Sequence, residues 1–267
     1  LNDELKIGER RHLIKLLEQL SFNTWPAAIC HPYGDWKVRI SDGTTKRANS
    51  VWTSSDGFIP ECSTWMNDVG SFYKNTGLPL IFQLNEISPM GLDSELEEQG
   101  FSKEAASTVF IANTSQVIES TRNDLHDHSL TFTVQEQHDD IWLSNFMEAE
   151  GFDSKTLSFY DRIFTAIEPT KGFVSLYMNN RCVALGTSIV EKDWAGIINV
   201  VVHPSLRRQG MGRSLIHQLA CWSAHKRASS MYLQVVDGNT PATNLYRSSG
   251  FSPFYKYHYR VEPTQDK

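Results

Sequence analysis

"NVVVHPSLRRQGMGRSLI", Asn199 to Ile216, passes from a β-branched run through two arginines and two glycines into an amphipathic pattern. The run belongs to a strand over 196–202, and Pro204 ends it because proline cannot donate to a ladder. Beyond the glycines, Leu215, Ile216, Leu219 and Trp222 fall at helical spacing, which predicts a helix to about residue 226. A glycine turn that opens a helix leaves backbone N–H groups pointing outward at the positive end of the helix dipole. Such a turn is a seat for phosphate.

Three classes of glycine loop compete for this stretch. A GxxxxGK[ST] loop is excluded, since neither Gly210 nor Gly212 is followed by the required lysine. The dinucleotide fingerprint GxGxxG fails at its third glycine, where Leu215 stands, and no acidic residue ends a strand about 20 residues later to hold a ribose. What remains is R-x-x-G-x-G: Arg207, Arg208, Gln209, Gly210, Met211, Gly212, preceded by Val202-His203-Pro204.

The elements around the turn read clearly. Strands are expected at 130–136, 172–178, 182–190, 196–202, 231–236 and 254–261, and helices at about 138–149, 154–167 and 240–249. Asn179-Asn180 suits a hairpin turn, and Gly250 suits the left-handed residue that closes a helix. The result is an α/β domain, a mixed and mostly antiparallel sheet flanked by helices. The first half reads as a worn copy: helices at about 8–21, 62–75 and 91–99, and strands at 36–40, 46–53 and 79–84. "PLIFQL" overlays "MYLQVV", and "SELEEQGF" overlays "NLYRSSGF". The expected organisation is a domain over 1–115, a polar linker over 116–129 and a second domain over 130–267.

The arginine-glycine turn closely resembles the pyrophosphate loop of the GNAT superfamily of N-acetyltransferases. A second stretch, "NTPATNLYRSSGF" from Asn239 to Phe251, resembles that family's N-x-x-A-x-x-L-Y-x-x-x-G-F pattern at the expected distance. The resemblance covers about 130–262, and the first half is similar, more loosely, to the amino-terminal part of tandem members, most of all at "RANSVW". It implies a GNAT-like fold with a degenerate first half, acetyl-CoA as co-substrate with no metal, and direct transfer of an acetyl group to a primary amine. A non-catalytic acyl-CoA-binding or regulatory module is the rival from another class, and retention of Tyr246 and Asn239 favours the enzyme.

Site residues follow from the same resemblance. The amides from Arg208 to Arg213 can face a diphosphate, with the glycines letting the backbone come close and the arginines adding charge-assisted contacts. Backbone groups of Val200 and Val202 would pair with the pantetheine arm like an added strand. Asn239 matches a CoA-contacting asparagine, although an asparagine there is also a plain helix N-cap. Tyr246 matches the general acid that protonates the departing thiolate, against the plainer reading of a packed core tyrosine. The base is open: Asn199 stands where many relatives carry a carboxylate, and Glu191, Asp193 or a water chain are the candidates.

The rest of the sequence narrows the partners. Residues 1–129 hold 18 acidic and 11 basic side chains and residues 130–267 hold 13 and 14, so the acidity lies away from the turn. That excludes a nucleic-acid binder and leans toward a cationic acceptor, either a small molecule or a peptide. No run approaches a membrane span, and the opening pattern lacks the apolar core of a signal peptide, so an unsecreted, cytoplasmic protein is expected. Cys30, Cys62, Cys182 and Cys221 show no metal spacing, and His126-Asp127-His128 supplies too few ligands for zinc. His203 reads as a surface histidine near phosphate. Trp52, Trp65 and Phe72 read as core rather than as a substrate cage. In the first half "TSSDGFIP" replaces the phosphate turn and Leu96 stands where Tyr246 stands, so one acetyl-CoA site per chain is expected.

Overall fold

The computed structural model describes residues 6–53, 59–60, 62–122 and 130–263. The chain divides into two compact units that do not follow the halves of the sequence: one is Val109–Phe254, and the other runs to Thr108 and resumes at Tyr255. The boundaries differ from those expected because two long strands pass from one unit into the other. These are β5 (Ser102–Asn113) and β11 (Ser252–Val261). Part of the expected linker is helical, α4 (Thr114–Thr121), with Val117 and Thr121 buried. The His126-Asp127-His128 triplet lies outside the described residues.

In the larger unit the sheet runs β5-β10-β9-β8-β7-β6, with β6 at Leu130–Gln135, β7 at Thr170–Met178, β8 at Arg181–Glu191, β9 at Trp194–Val202 and β10 at Ser230–Val236. β6, β7, β8 and β9 are antiparallel neighbours, and β10 runs parallel to β9. The β7–β8 hairpin turns on Asn179 and Asn180, both at positive φ, as their type allows.

Helices cover both faces of this sheet. Side chains alternate along a strand, and neighbouring β7 residues show the consequence. Phe173 meets Trp142 of α5 (Asp140–Glu150) with centroids 4.9 Å apart, whereas Val174 joins the apolar cluster of Leu215, Leu219 and Ala220 on α7 (Met211–His225). α6 (Leu157–Ala166) shares the α5 face through Phe164. Its C-terminal carbonyls are closed by the buried Lys171, whose Nζ donates to Phe164, Thr165 and Ile167 at 2.9, 3.1 and 2.7 Å. α8 (Thr240–Ser248) sends Tyr246 into the α7 cluster.

The smaller unit repeats the plan in reduced form, in the order β1-β2-β3-β4-β11-β5, with β1 at Ile29–Tyr33, β2 at Trp36–Ile40, β3 at Val51–Trp52 and β4 at Ile81–Asn85. Its helices are α1 (Ile7–Asn23), α2 (Trp65–Lys74) and α3 (Leu92–Glu98). β3 is parallel to β4, as β9 is to β10, and Gly100 at φ +84° closes α3 as Gly250 at φ +95° closes α8. The expected strand over 46–53 begins as a 3-10 turn, Lys46–Ala48, and only Val51 and Trp52 form a strand, β3. Trp52 is buried against Phe22, Trp65 is buried, and Phe72 is half-buried against the core that holds Trp65, as expected of core aromatics.

Close approach of α7 to the sheet requires a missing Cβ at Gly172, where an added methyl carbon would lie 2.5 Å from the Trp222 ring. Gly172→Ala should therefore destabilise the larger unit by about 1–3 kcal/mol through overpacking. Urea unfolding followed by tryptophan fluorescence measures the effect.

Candidate active site

β9 and β10 begin as a parallel pair, Ser230↔Trp194 to Leu233↔Ile197, and then separate, although β9 continues to Val202 and β10 to Val236. The separation coincides with a bulge. Leu185 pairs with Val201 and Thr187 with Ile198, so Asn199 and Val200 together oppose Gly186. Asn199 takes φ +57°, a conformation asparagine tolerates better than most residues.

The bulge decides where the polar groups of the strand point. His203 N–H donates to the Val183 carbonyl at 2.9 Å, which makes Ala184 and Val202 a non-hydrogen-bonded pair. The N–H and C=O of Val202 therefore point away from β8, toward the opening, and alternation gives Val200 the same sense. An extended ligand laid in the opening would find strand-like partners there.

β9 leads into the turn. A short 3-10 segment, Pro204–Leu206, precedes Arg207, then Arg208 at φ +61° and Gly210 at φ +85°, where α7 begins. An ideal Cβ on Gly210 would meet nothing within 4 Å, and Arg207 to Gly210 are exposed. Among the described residues, the amides of Gln209, Gly210, Met211 and Gly212 donate no backbone hydrogen bond. Four outward donors at the start of a fifteen-residue helix fit a diphosphate. Gly212 is required by packing, because an added Cβ would stand 3.0 Å from Leu245 of α8.

The structure separates the turn's side chains by role. Arg208 is exposed, and Arg207 donates from Nε to the Val202 carbonyl at 3.2 Å, at the edge of the opening. Gln209 is tied to the Ser205 carbonyl at 3.3 Å, and Met211 is a core residue. Arg213 turns away: its amide donates to Gly210, and its guanidinium holds the carbonyls of Ser120 and Ser248. Arg213 thus clamps α4 and α8 to α7 rather than facing a ligand. His203 is likewise occupied, with Nε2 3.0 Å from Arg181 and Nδ1 2.8 Å from Ser205.

α8 carries the other expected residues. Asn239 is the N-cap, its Oδ1 accepting the Ala242 amide at 3.2 Å, so the capping role is filled. Tyr246 is buried and packs edge-on to Phe251 at 6.0 Å, with no hydrogen-bond partner for its hydroxyl among the described residues. Burial, then the nearby Glu150 carboxylate, raises its pKa well above the ordinary phenol value. The phenol is an acid that stays protonated.

The expected bases are elsewhere. Glu191 and Asp193 lie at the β8–β9 hairpin, where the main-chain carbonyl of Asp193 accepts the Ser229 and Ser230 amides at 2.9 and 3.1 Å. From Trp194 to Val202 the strand spans roughly 26 Å, so the hairpin is at the far end of β9 from the turn. Glu150, the exposed last residue of α5, has its pKa raised by desolvation and lowered by the Arg207 charge, and it is the smaller cause of the rise at Tyr246. Nothing in its local sequence singled it out, since a glutamate at a helix end is an ordinary surface residue. Among the described residues no group of three or more His, Cys, Asp or Glu side chains could hold a metal ion, and no helix is long and apolar enough to cross a membrane.

Residues 12–260 match the family described as "Probable histone acetyltransferase Rv0428c C-terminal". The chain is 33% identical over 249 residues to the uncharacterized N-acetyltransferase YobR of Bacillus subtilis (strain 168), covering 93% of this chain and 98% of that protein. It is 32% identical over 77 residues to the [ribosomal protein bS18]-alanine N-acetyltransferase of Escherichia coli (strain K12), covering 29% of this chain and 52% of that one. Among solved structures, a GCN5-related N-acetyltransferase from Kribbella flavida superimposes with a TM-score of 0.68 at 17% identity, over 97% of this chain and 98% of that chain. A tandem GNAT protein from the clavulanic acid biosynthesis pathway gives 0.61 at 11% identity, over 94% and 89%. These two likenesses are of fold. With the family match and the full-length relative, they establish that the chain belongs to the Rv0428c-type acetyltransferase family and is an N-acetyltransferase of the GNAT type.

Proposed function

We propose that the larger unit transfers an acetyl group from acetyl-CoA directly to a primary amine, at one site per chain. The observation that carries this reading is the pairing of a strand edge that β10 leaves unpaired at Val200 and Val202, where only Arg207 Nε reaches the Val202 carbonyl, with four amides at Gln209–Gly212 that donate no backbone hydrogen bond. An arm and a diphosphate joined to it are the two parts such a surface complements. Bound acetyl-CoA would supply an activated thioester.

The chain's own groups divide the remaining work. The amides of 209–212 hold the diphosphate, with Arg207 and Arg208 adding charge. Val200 and Val202 align the arm and offer an N–H to the thioester oxygen. Tyr246 gives a proton to the departing sulfur. Glu191, a base expected from the sequence, lies at the far hairpin, and this reading assigns it no step. The acceptor class includes a peptide amine, since the E. coli relative's name gives it an alanine of ribosomal protein bS18. Free thiols at all four cysteines fit a reducing cytoplasm.

The smaller unit supports the count of one site. The first turn of α2 carries an acidic residue, Asp68, bonded to Thr64 and Tyr33 at 3.0 and 2.9 Å, whereas the first turn of α7 carries none. A carboxylate there repels phosphate. Leu96, in the place of Tyr246, is fully buried and has no proton to give.

Calorimetric titration should give one equivalent of acetyl-CoA per chain, and two would overturn the single-site reading. Gly210→Asp should abolish that binding in a folded protein, because the new side chain enters open space but puts a negative charge among the amides. A screen of primary amines by release of free CoA identifies the acceptor, and a screen without turnover would remove the amine reading.

Tyr246→Phe should lower kcat by about 10- to 1000-fold with little change in acetyl-CoA affinity, since the ring still packs while the proton donor is lost. The raised phenol pKa adds a pH expectation. Tyr246 stays protonated as pH rises past the ordinary tyrosine value near 10, so wild-type kcat should show no tyrosine limb below about pH 10. Steady-state kinetics against pH check both.

A further inference from the structure

One flank of α5 is left unfilled. Leu143, Phe146 and Met147 pack inward, while Asn145 and Glu148, three residues apart and so on one side of the helix, face a cleft instead. Arg181, at the start of β8, and His203, just past the end of β9, form its other side. The cleft measures about 360 Å³ counting its mouth open to solvent, room for one small polar molecule.

His203 is the post on which the cleft is built. Its amide is held by the Val183 carbonyl, and Ser205 Oγ stands 2.8 Å from Nδ1. Around the other ring nitrogen, Nε2, Arg181 stands at 3.0 Å and Glu148 Oε1 at 3.9 Å. The guanidinium and the carboxylate thus flank one atom without forming an ion pair with each other. Among the described residues neither side chain has a further hydrogen-bond or ion-pair partner, and the side-chain amide of Asn145 has none. Burial pushes the Cys182 thiol in the cleft wall up to about 11, so it adds no third charge.

A positive and a negative group are therefore separated by more than an ion pair, yet by no more than their two distances to Nε2 together. That spacing matches the head of an α-amino acid, whose ammonium and carboxylate share one carbon. The cleft also has the right neighbour. His203 follows Val202, whose N–H and C=O face the opening between β9 and β10, so cleft and opening lie about 5 Å apart, one strand spacing. An aliphatic side chain covers that distance.

We propose that the cleft is a subsite for the head of a free diamino acid, with its carboxylate on Arg181 and Asn145, its α-ammonium on Glu148, and its side-chain amine delivered to the opening for acetylation. The proposal rests on the acetyl-transfer reading above and narrows the acceptor to this class. One proton goes from R–NH3+ to solvent, and the freed lone pair forms the C–N bond to the acetyl carbon. The C–S bond breaks with its electron pair on sulfur, and a second amine proton ends on the thiol. A residue within a peptide carries neither charge of the head and a terminal one carries a single charge, so the cleft selects against peptides.

The test compares lysine and ornithine with 1,5-diaminopentane, which lacks the carboxylate, and with Nα-acetyl-lysine, which lacks the α-ammonium. Wild type, Arg181→Gln and Glu148→Gln are assayed on all four, with circular dichroism confirming the fold. Wild-type kcat/KM should be about 10- to 100-fold higher for the better diamino acid than for either analogue, the scale of one charge-assisted contact. Arg181→Gln should erase the advantage over diaminopentane, and Glu148→Gln the advantage over Nα-acetyl-lysine. Acetyl-CoA affinity should stay within about threefold in both, because neither residue belongs to the arginine-glycine turn. Diamino acids no better than the analogues in wild type would overturn the proposal, as would faster acetylation of a peptide amine. So would variants that slow all four amines alike or that fail chiefly to bind acetyl-CoA. Wild-type protein that binds no acetyl-CoA, or acetylates no amine, would instead overturn the functional reading itself.

Discussion

Everything at the candidate site depends on where β9 stops pairing with β10. Four paired residues hold the strands together, and the bulge at Asn199–Val200 then changes which edge of β9 carries free polar groups. The partner of that bulge is Gly186, and an added Cβ there would lie 3.1 Å from Leu219 and 3.4 Å from Leu215. The bulge, the glycine and the approach of α7 therefore constrain one another. α7 in turn fixes the arginine-glycine turn, since its first residue, Met211, is anchored in the core. A single local irregularity thus sets both the strand edge and the amides.

The same frame in the smaller unit is filled differently. The β3–β4 ladder has two pairs, Val51↔Phe82 and Trp52↔Gln83, and Glu18 from α1 closes its end. The fully buried Glu18 accepts from Trp52 Nε1 at 3.3 Å, Gln83 Nε2 at 3.2 Å and Tyr255 Oη at 2.5 Å. Gln83 Oε1 in turn accepts from the buried Arg39 at 2.7 Å. Buried charge is tolerated when each group is satisfied, and removing one partner strands the others. Where the larger unit leaves main-chain groups open, the smaller one spends buried side chains of its own.

How much of this was legible depends on how local the signal is. The strand, glycine turn and helix from β9 to α7 and the closing Gly250 of α8 were readable because each is specified by its immediate neighbours, whereas Asn239, expected first as a CoA contact, is observed as the N-cap of α8. β5 was not, because "SKEAASTVFIAN" opens on residues of low strand propensity and only Val109–Ala112 form an apolar run. α4 was hidden because its buried positions include Thr114 and Thr121, which read as polar. The passage of β5 and β11 between units left no trace, since a strand's alternation does not name its neighbour. Arg213 was misread for a related reason: its position in the motif is local, while its carbonyl partners, Ser120 and Ser248, are 93 and 35 residues away.

Tyr246 shows what the core of the larger unit does to a phenol. Burial is the larger cause of its raised pKa, and the Glu150 carboxylate acts in the same direction, so the proton stays on the ring oxygen. The ring is fixed against Phe251 and within the α7 cluster, while the hydroxyl has no hydrogen-bond partner among the described residues. A buried phenolate is the costly form, so on the acetyl-transfer reading a proton given by Tyr246 must be regained within the same turnover rather than drawn later from water.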